Sequence, residues 1–155
     1  MFMVTTAAAV GSAVVAGLLF AFSTAVMPAL RQRPPAEGMQ TMQAVNRVIL
    51  NPVFLGTFMG TAVACGVLVV WSALAPGPGA PWRIAGAVTY LIGVFGITAA
   101  LNVPLNNRLE SLDAGAPDAQ RFWAEYLVRW TRWNHVRTCA GIVAAGLLIV
   151  STAPN

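Results

Sequence analysis

A chain of 155 residues that is 57% hydrophobic and only 9% charged, with a mean hydropathy of +0.70, is not an ordinary soluble domain, which carries about 25% charged residues. The composition places most of the chain in a membrane, as a single domain over 1–155 with no room for a second, soluble one. Its net charge of +4 comes from nine arginines, with no lysine, set against five acidic residues. The arginines lie in short loops beside apolar segments, so they read as topology signals and lipid-phosphate contacts rather than as a nucleic-acid footprint.

The first span covers about 5–30, is uncharged, and carries Pro28 near its end. Met1-Phe2-Met3-Val4 offers no basic residue and the apolar run is too long for a signal peptide, so a retained transmembrane helix is expected. A short helix over 37–50 follows, with Met39, Met42, Val45 and Ile49 on one side. The second span, about 52–75, opens on Asn51-Pro52, a capping residue followed by proline at the first helical position. Ala75-Pro-Gly-Pro-Gly-Ala-Pro81 is a tight turn, and the third span runs from about 82 to 104. A second connecting helix over 118–133, capped by Asp118, continues into the fourth span at about 134–152. Phe122, Tyr126, Trp130 and Trp133 recur along it at helical spacing, and the preferred reading is an interfacial aromatic belt over ligand contacts. The fold class is all-α: an integral membrane bundle of four transmembrane helices with two short cytoplasmic connecting helices.

Arg31, Arg33, Arg47, Arg108, Arg121, Arg129 and Arg132 fall in the two connecting loops on one side, with Arg137 just inside the last span. Arg83 stands alone on the other side. The positive-inside rule puts the connecting helices in the cytoplasm and both termini outside, in what is expected to be a bacterial inner membrane. Gly56, Gly60 and Ala64 form a small-xxx-small face, and Gly93 with Gly96 and Gly141 with Ala145 offer similar ones. Packing within the bundle accounts for them, with a homo-oligomer through the Gly56/Gly60 face as the less favoured use. Cys65 and Cys139 each fall within a span and form no CxxC pair, so buried free thiols are expected.

Polar residues gather at one end of every span: Ser23 and Thr24 in the first; Asn46, Arg47 and Asn51 before the second; Asn102, Asn106, Asn107 and Arg108 in the third; Asn134, His135, Arg137 and Thr138 in the fourth. In an antiparallel bundle these ends meet at the cytoplasmic face. Asn102 and Asn106 share a helix face, as do Trp130, Asn134 and Arg137 at i, i+4, i+7, with His135 and Thr138 on an adjoining one. Pro104 frees the carbonyl four residues back and is expected to bend its helix, with the asparagine amides available to satisfy that carbonyl. Taken singly, the asparagines read as helix-end cross-links, Arg137 as a snorkelling side chain and His135 as an interfacial group. Their convergence favours a polar pocket, because ionisable groups at membrane depth are costly and point to function. His135, the one histidine, has the chemistry of a general base, and an arginine with amides that of an oxyanion site. With no second histidine and no carboxylate in the spans, a metal site or bis-histidine haem is disfavoured. The lack of an embedded acid also disfavours a proton-coupled small multidrug transporter.

Phe22-Ser-Thr-Ala-Val-Met-Pro-Ala-Leu30, Asn102-Val-Pro-Leu-Asn106-Asn-Arg108 and Trp133-Asn-His-Val-Arg-Thr138 resemble the landmarks of the anthrone oxygenase-like family of small four-helix membrane proteins. The resemblance runs from about residue 9 to 150. It implies oxidation of an anthrone, or a related aromatic polyketide or quinone-like molecule, by dioxygen, with no metal, flavin or other cofactor. Under that reading His135 is the base, Arg137, Asn102 and Asn106 hold the enolate oxygen, and Trp130 and Trp133 stack on the rings. Asn134, Thr138, Asn51, Asn107 and Ser23 complete the candidate substrate contacts. The expected partners are a small hydrophobic aromatic substrate, dioxygen and membrane lipid. The competing reading is a non-catalytic lipid- or quinone-binding subunit of a larger complex. A small transporter ranks third, because the outer face is poor in polar groups.

Overall fold

The computed structural model describes residues 1–153, which form five helical elements and no strand. Four are long and apolar enough to cross a membrane: α1 (Phe2–Arg31), α3 (Pro52–Leu74), α4 (Ala80–Glu110) and α5 (Pro117–Val150). The connecting helix α2 (Pro35–Ile49) stands between the first two. Proline within the first two positions starts α2, α3, α4 and α5, where its missing N–H costs nothing and its φ is already helical. Asn51 caps α3 as expected, its Oδ1 accepting from the Phe54 N–H at 3.0 Å. Asp118 does not cap α5. Ala116 occupies that position and Asp118 sits in the first turn, where a negative charge favours the helix dipole. The 34 residues of α5 span about 51 Å at about 1.5 Å per residue, well beyond a hydrocarbon core of about 30 Å. The expected second connecting helix is therefore the near end of the fourth span itself.

In the tight turn, Gly79 takes φ 75°, and a Cβ there would collide with the Ser151 carbonyl. Of three further departures from α geometry among the described residues, Tyr90–Gly96 in α4 winds as π-helix with no proline after it, and the other two precede prolines. Phe22–Val26 in α1 and Thr98–Asn102 in α4 wind as π-helix, and the Met27 and Val103 N–H groups reach back five residues to the Phe22 and Thr98 carbonyls. Pro28 and Pro104 come one residue later. A ring with no N–H that crowds the preceding turn is accommodated by widening that turn.

The spans form a ring in the order α1–α3–α4–α5, so every neighbour is antiparallel, and α1 packs most extensively on α5. A Cβ at Gly93 would fall 2.5 Å from the Ala140 Cβ, and one at Gly141 would fall 2.9 Å from the Ala16 Cβ. These glycines therefore mark close helix approach. Gly56 and Gly60 do not: no atom lies within 4 Å of a Cβ built at either, and both are exposed. Packing inside the bundle does not explain that face. The expectation of two buried thiols also fails at one position, since Cys65 is buried while Cys139 is exposed.

Two apolar clusters fill the bundle. One, around Val15, Phe58, Cys65, Leu68, Tyr90, Val94 and Leu148, occupies the middle and the end marked by Arg83. The other, around Met27, Met39, Met42, Leu109, Phe122, Trp123, Tyr126 and Trp130, fills the arginine-rich end, beneath α2. Helix α2 lies across this end, with Gln43 Nε2 donating to the Leu109 and Leu112 carbonyls at 2.9 and 3.0 Å. Phe122, Tyr126 and Trp130 are thus core residues, and the expected interfacial belt is not formed by them. Ser23, Asn102, Asn134, Arg137 and Thr138 are buried between the two clusters, while the other buried polar side chains, Thr5, Ser12, Thr61, Ser72 and Ser151, lie elsewhere in the bundle.

A polar layer around Arg137

Asn134 is fully buried and uses all of its amide. Its Nδ2 donates to the Leu19 carbonyl and to Ser23 Oγ, each at 2.7 Å. Its Oδ1 accepts from Arg137 Nη2 at 2.7 Å. Asn134 therefore ties α5 to the π turn of α1 and braces the guanidinium one helical turn above it. Arg137 is 5% exposed. Its Nη1 donates to Thr98 Oγ1 at 3.1 Å, its Cζ lies 5.2 Å from the Trp130 ring centroid, and its Nε is buried with no partner. The ion pairs among the described residues are Arg33–Glu37, Arg47–Glu110 and Arg129–Glu125, all exposed. Arg137 is thus a buried cation held by neutral groups, with no carboxylate to balance it.

A second cluster sits beside it. Asn106 Oδ1 accepts from Tyr126 Oη and from Trp130 Nε1, both at 2.8 Å. Tyr126 stacks on Trp130 at 6.1 Å and on Trp123 at 5.5 Å, while Phe22 meets Trp130 at 5.7 Å. Asn102 Nδ2 donates to the Trp130 carbonyl at 3.3 Å, and its buried Oδ1 has no partner. The asparagine side chains thus reach across to α5, so cross-linking of helices is one of their roles.

A cavity of about 100 Å³ opens between α1, α2, α4 and α5, with Arg137, Trp130, Thr98, Asn106, Phe22 and Asn46 in its wall. Asn46 Nδ2, on α2, is buried without a partner. Four polar side chains, Arg137, Asn46, Asn106 and Thr98, therefore line one small cavity whose other walls are apolar or aromatic. The free groups on the first two are both donors. Such an array suits a ligand oxygen that carries or develops negative charge.

The structure gathers Arg137, Asn106 and Trp130 at the cavity. Asn134 and Ser23 brace it, and Asn102 lies just behind through its contact with Trp130. Other candidates fall elsewhere. His135 is exposed: two residues from Arg137, it points about 200° away around a helix of about 100° per residue. Trp133 is half-buried and off the cavity. Thr138 Oγ1 turns back to the Asn134 carbonyl at 2.9 Å, Asn51 is occupied as a cap, and Asn107 is exposed beside an outer cavity. Thr98, Asn46 and Tyr126 were not among the predicted contacts. Thr98 was legible in principle, since it precedes Asn102 and Asn106 at i, i+4, i+8, and Asn46 shares its helix side with Met39 and Met42.

In a helical bundle of membrane-spanning length, a polar layer built around a buried, unbalanced arginine marks a candidate functional site. The family model described as anthrone oxygenase matches residues 53–147, and the chain belongs to that family. The matched segment holds Thr98, Asn102, Asn106, Trp130, Asn134 and Arg137, leaving Ser23 and Asn46 as contributions from α1 and α2 outside it. No curated protein and no solved structure matches the chain.

Proposed function

We propose that the protein is a membrane-embedded oxygenase that uses dioxygen to oxidise an aromatic polyketide or quinone-like substrate, an anthrone being the type compound. The observation that carries this reading is Arg137, whose Nε is buried, unpartnered and without a carboxylate beside a cavity flanked by Trp130 and Phe22. A guanidinium in that position favours a ligand that becomes an anion. Loss of a proton from the anthrone methylene gives an extended enolate, whose oxygen Arg137, Asn46 and Asn106 would hold. Carbon–oxygen bond formation between that enolate and dioxygen gives a hydroperoxide, and loss of water leaves the quinone carbonyl. One oxygen atom ends in the product and one in water, so the balance closes without another reductant. His135, exposed and turned from the cavity, is poorly placed to take the first proton. Electrostatic lowering of the substrate's own pKa, with the proton passing to water, fits the site better. The arginine-rich end would face the cytoplasm of a bacterial inner membrane, supported by seven loop arginines at that end against Arg83 at the other.

A second reading, a binding subunit for a quinone or lipid, is favoured by one observation. None of the side chains lining the inner cavity is a carboxylate or histidine, so the site offers donors and stacking but no proton acceptor. Oxygen uptake by purified protein given a hydroxylated anthrone separates the two. Uptake that falls in Arg137→Ala and Asn106→Ala supports the oxygenase. Binding that depends on Arg137, with no uptake, moves the assignment to the binding subunit.

A further inference from the structure

The cavity beside Arg137, at about 100 Å³, is well below the roughly 300 Å³ at which small-molecule sites begin. A second cavity of about 210 Å³ adjoins it and shares Asn46, Ile49, Leu50, Val103 and Asn106. A fused-ring ligand seated against Arg137 must therefore extend its far edge into this outer chamber. There it meets Arg47 of α2 and Glu110 of α4, joined by an ion pair. The other two ion pairs among the described residues join side chains four positions apart, so this one alone links distant parts of the chain. Its two side chains are 61% and 42% exposed, and a pair so solvated contributes no more than about 1 kcal/mol. Nor is it needed to hold α2 in place, since Gln43 bonds α2 to the end of α4 and Met39 and Met42 are buried beneath it. Arg47 is thus a cation at the cavity mouth with a weakly held, replaceable counterion.

We propose that Arg47 is a specificity-determining residue that receives an acidic substituent, a carboxylate, on the edge of the aromatic ligand remote from Arg137, displacing Glu110. This inference rests on the polar layer being the site for an oxygenated aromatic, and it adds the ligand's second functional group. The planar guanidinium fork matches a carboxylate in two-point geometry, and Asn107 in the same wall is available as a further donor. A surface charge contact of about 1 kcal/mol corresponds to about a fivefold preference.

The test is binding of anthraquinone-2-carboxylate and of the neutral anthraquinone-2-carboxamide to the full chain in detergent, read by quenching of tryptophan fluorescence. Glu110→Gln should bind the carboxylate about fivefold more tightly, and the preference should shrink as salt is raised. Wild type, in which Glu110 competes for Arg47, should show a smaller preference, and Arg47→Gln should erase it. Equal affinities in Glu110→Gln, or a preference that survives Arg47→Gln, overturns the proposal. If the carboxamide binds in a manner sensitive to Arg137→Met while no preference is seen, this inference alone falls. Binding of neither ligand, or binding indifferent to Arg137→Met, overturns the site reading and this inference with it.

Discussion

Replacing Arg137 with methionine separates a functional cation from a structural one. The guanidinium supports the fold through two hydrogen bonds, to Thr98 Oγ1 and Asn134 Oδ1. Thr98 keeps its bond to the Val94 carbonyl at 2.7 Å, so the one acceptor left stranded is Asn134 Oδ1, at a cost of about 1–3 kcal/mol. Against this, wild type keeps a cation 95% out of solvent with no anion beside it, and the desolvation of a buried charge costs several kcal/mol. Methionine, of similar length and flexible, removes that cost and keeps the contact with Trp130. The fold of Arg137→Met should therefore be at least as stable as wild type, within about 1–2 kcal/mol. Turnover should behave in the opposite way, since loss of one oxyanion donor costs about 100- to 1000-fold in rate. The assay pairs thermal unfolding in detergent, followed by tryptophan fluorescence, with oxygen uptake on a hydroxylated anthrone. A variant that unfolds many degrees early makes Arg137 a structural keystone. One that turns over within tenfold of wild type removes the oxyanion role. Either result refutes the reasoning.

Asn106→Ala strands two buried donors, Tyr126 Oη and Trp130 Nε1, and should lower stability by about 2–6 kcal/mol, at about 1–3 kcal/mol per unsatisfied donor. Asn106→Asp keeps the acceptor and should restore much of that stability, yet stay inactive, because its carboxylate fills the anion's place in the same cavity. Unfolding midpoints and uptake rates measured on both variants check this, and an active Asn106→Asp would contradict it. His135→Ala should leave uptake within about twofold of wild type, as expected for an exposed group far from the reacting atoms; a hundredfold loss would make the histidine the base after all. Gly93→Ala, which drives a methyl to 2.5 Å from Ala140, should cost about 1–3 kcal/mol by overpacking. Gly60→Ala, with no atom within 4 Å, should be neutral or slightly stabilising through helix propensity. Equal unfolding temperatures for the two would mean that α4 and α5 are not so closely packed.

The membrane spans were legible because a run of apolar residues needs no partner to declare itself, and Asn51-Pro52 and the Pro/Gly turn punctuate two of them. The gathering of Asn102, Asn106, Trp130, Asn134 and Arg137 was legible because i, i+4 and i+7 spacing fixes a shared face before any tertiary fact is known. His135 was misplaced for a related reason: its chemistry drew it toward the site, although two residues of helix turn it away from Arg137. The aromatic residues of α5 carried an ambiguous signal, because the spacing that makes an interfacial belt also makes a buried column. The covering helix α2 decided between them, by burying Met39 and Met42 against that column. Asn46 was missed as a site residue because, although it shares a helix side with Met39 and Met42, what that side covers depends on how α2 folds back. The π turns were likewise hidden, although two of the three, Phe22–Val26 and Thr98–Asn102, precede prolines that the sequence displays.

Those π turns bear on why the polar layer lies where it does. Each adds a residue to the turn it occupies, and the two at Phe22–Val26 and Thr98–Asn102 lie on opposite sides of α5. Through them, Ser23 on α1 and Thr98 on α4 come to face Asn134 and Arg137 at one level. Pro28 and Pro104 stand behind both turns, so the same sequence feature shapes the two walls. An apolar bundle has no need of this layer: Asn134 and Arg137 would be leucines if stability alone were at stake, since burying an uncompensated cation opposes folding. Thr98 and Asn134, the latter anchored to Ser23, hold the guanidinium in place, and under the proposed oxyanion role donors fixed in advance would not have to reorganise as charge develops. Function and architecture meet at Asn134, which uses its amide donors to fasten α5 to α1 and its carbonyl to aim Arg137.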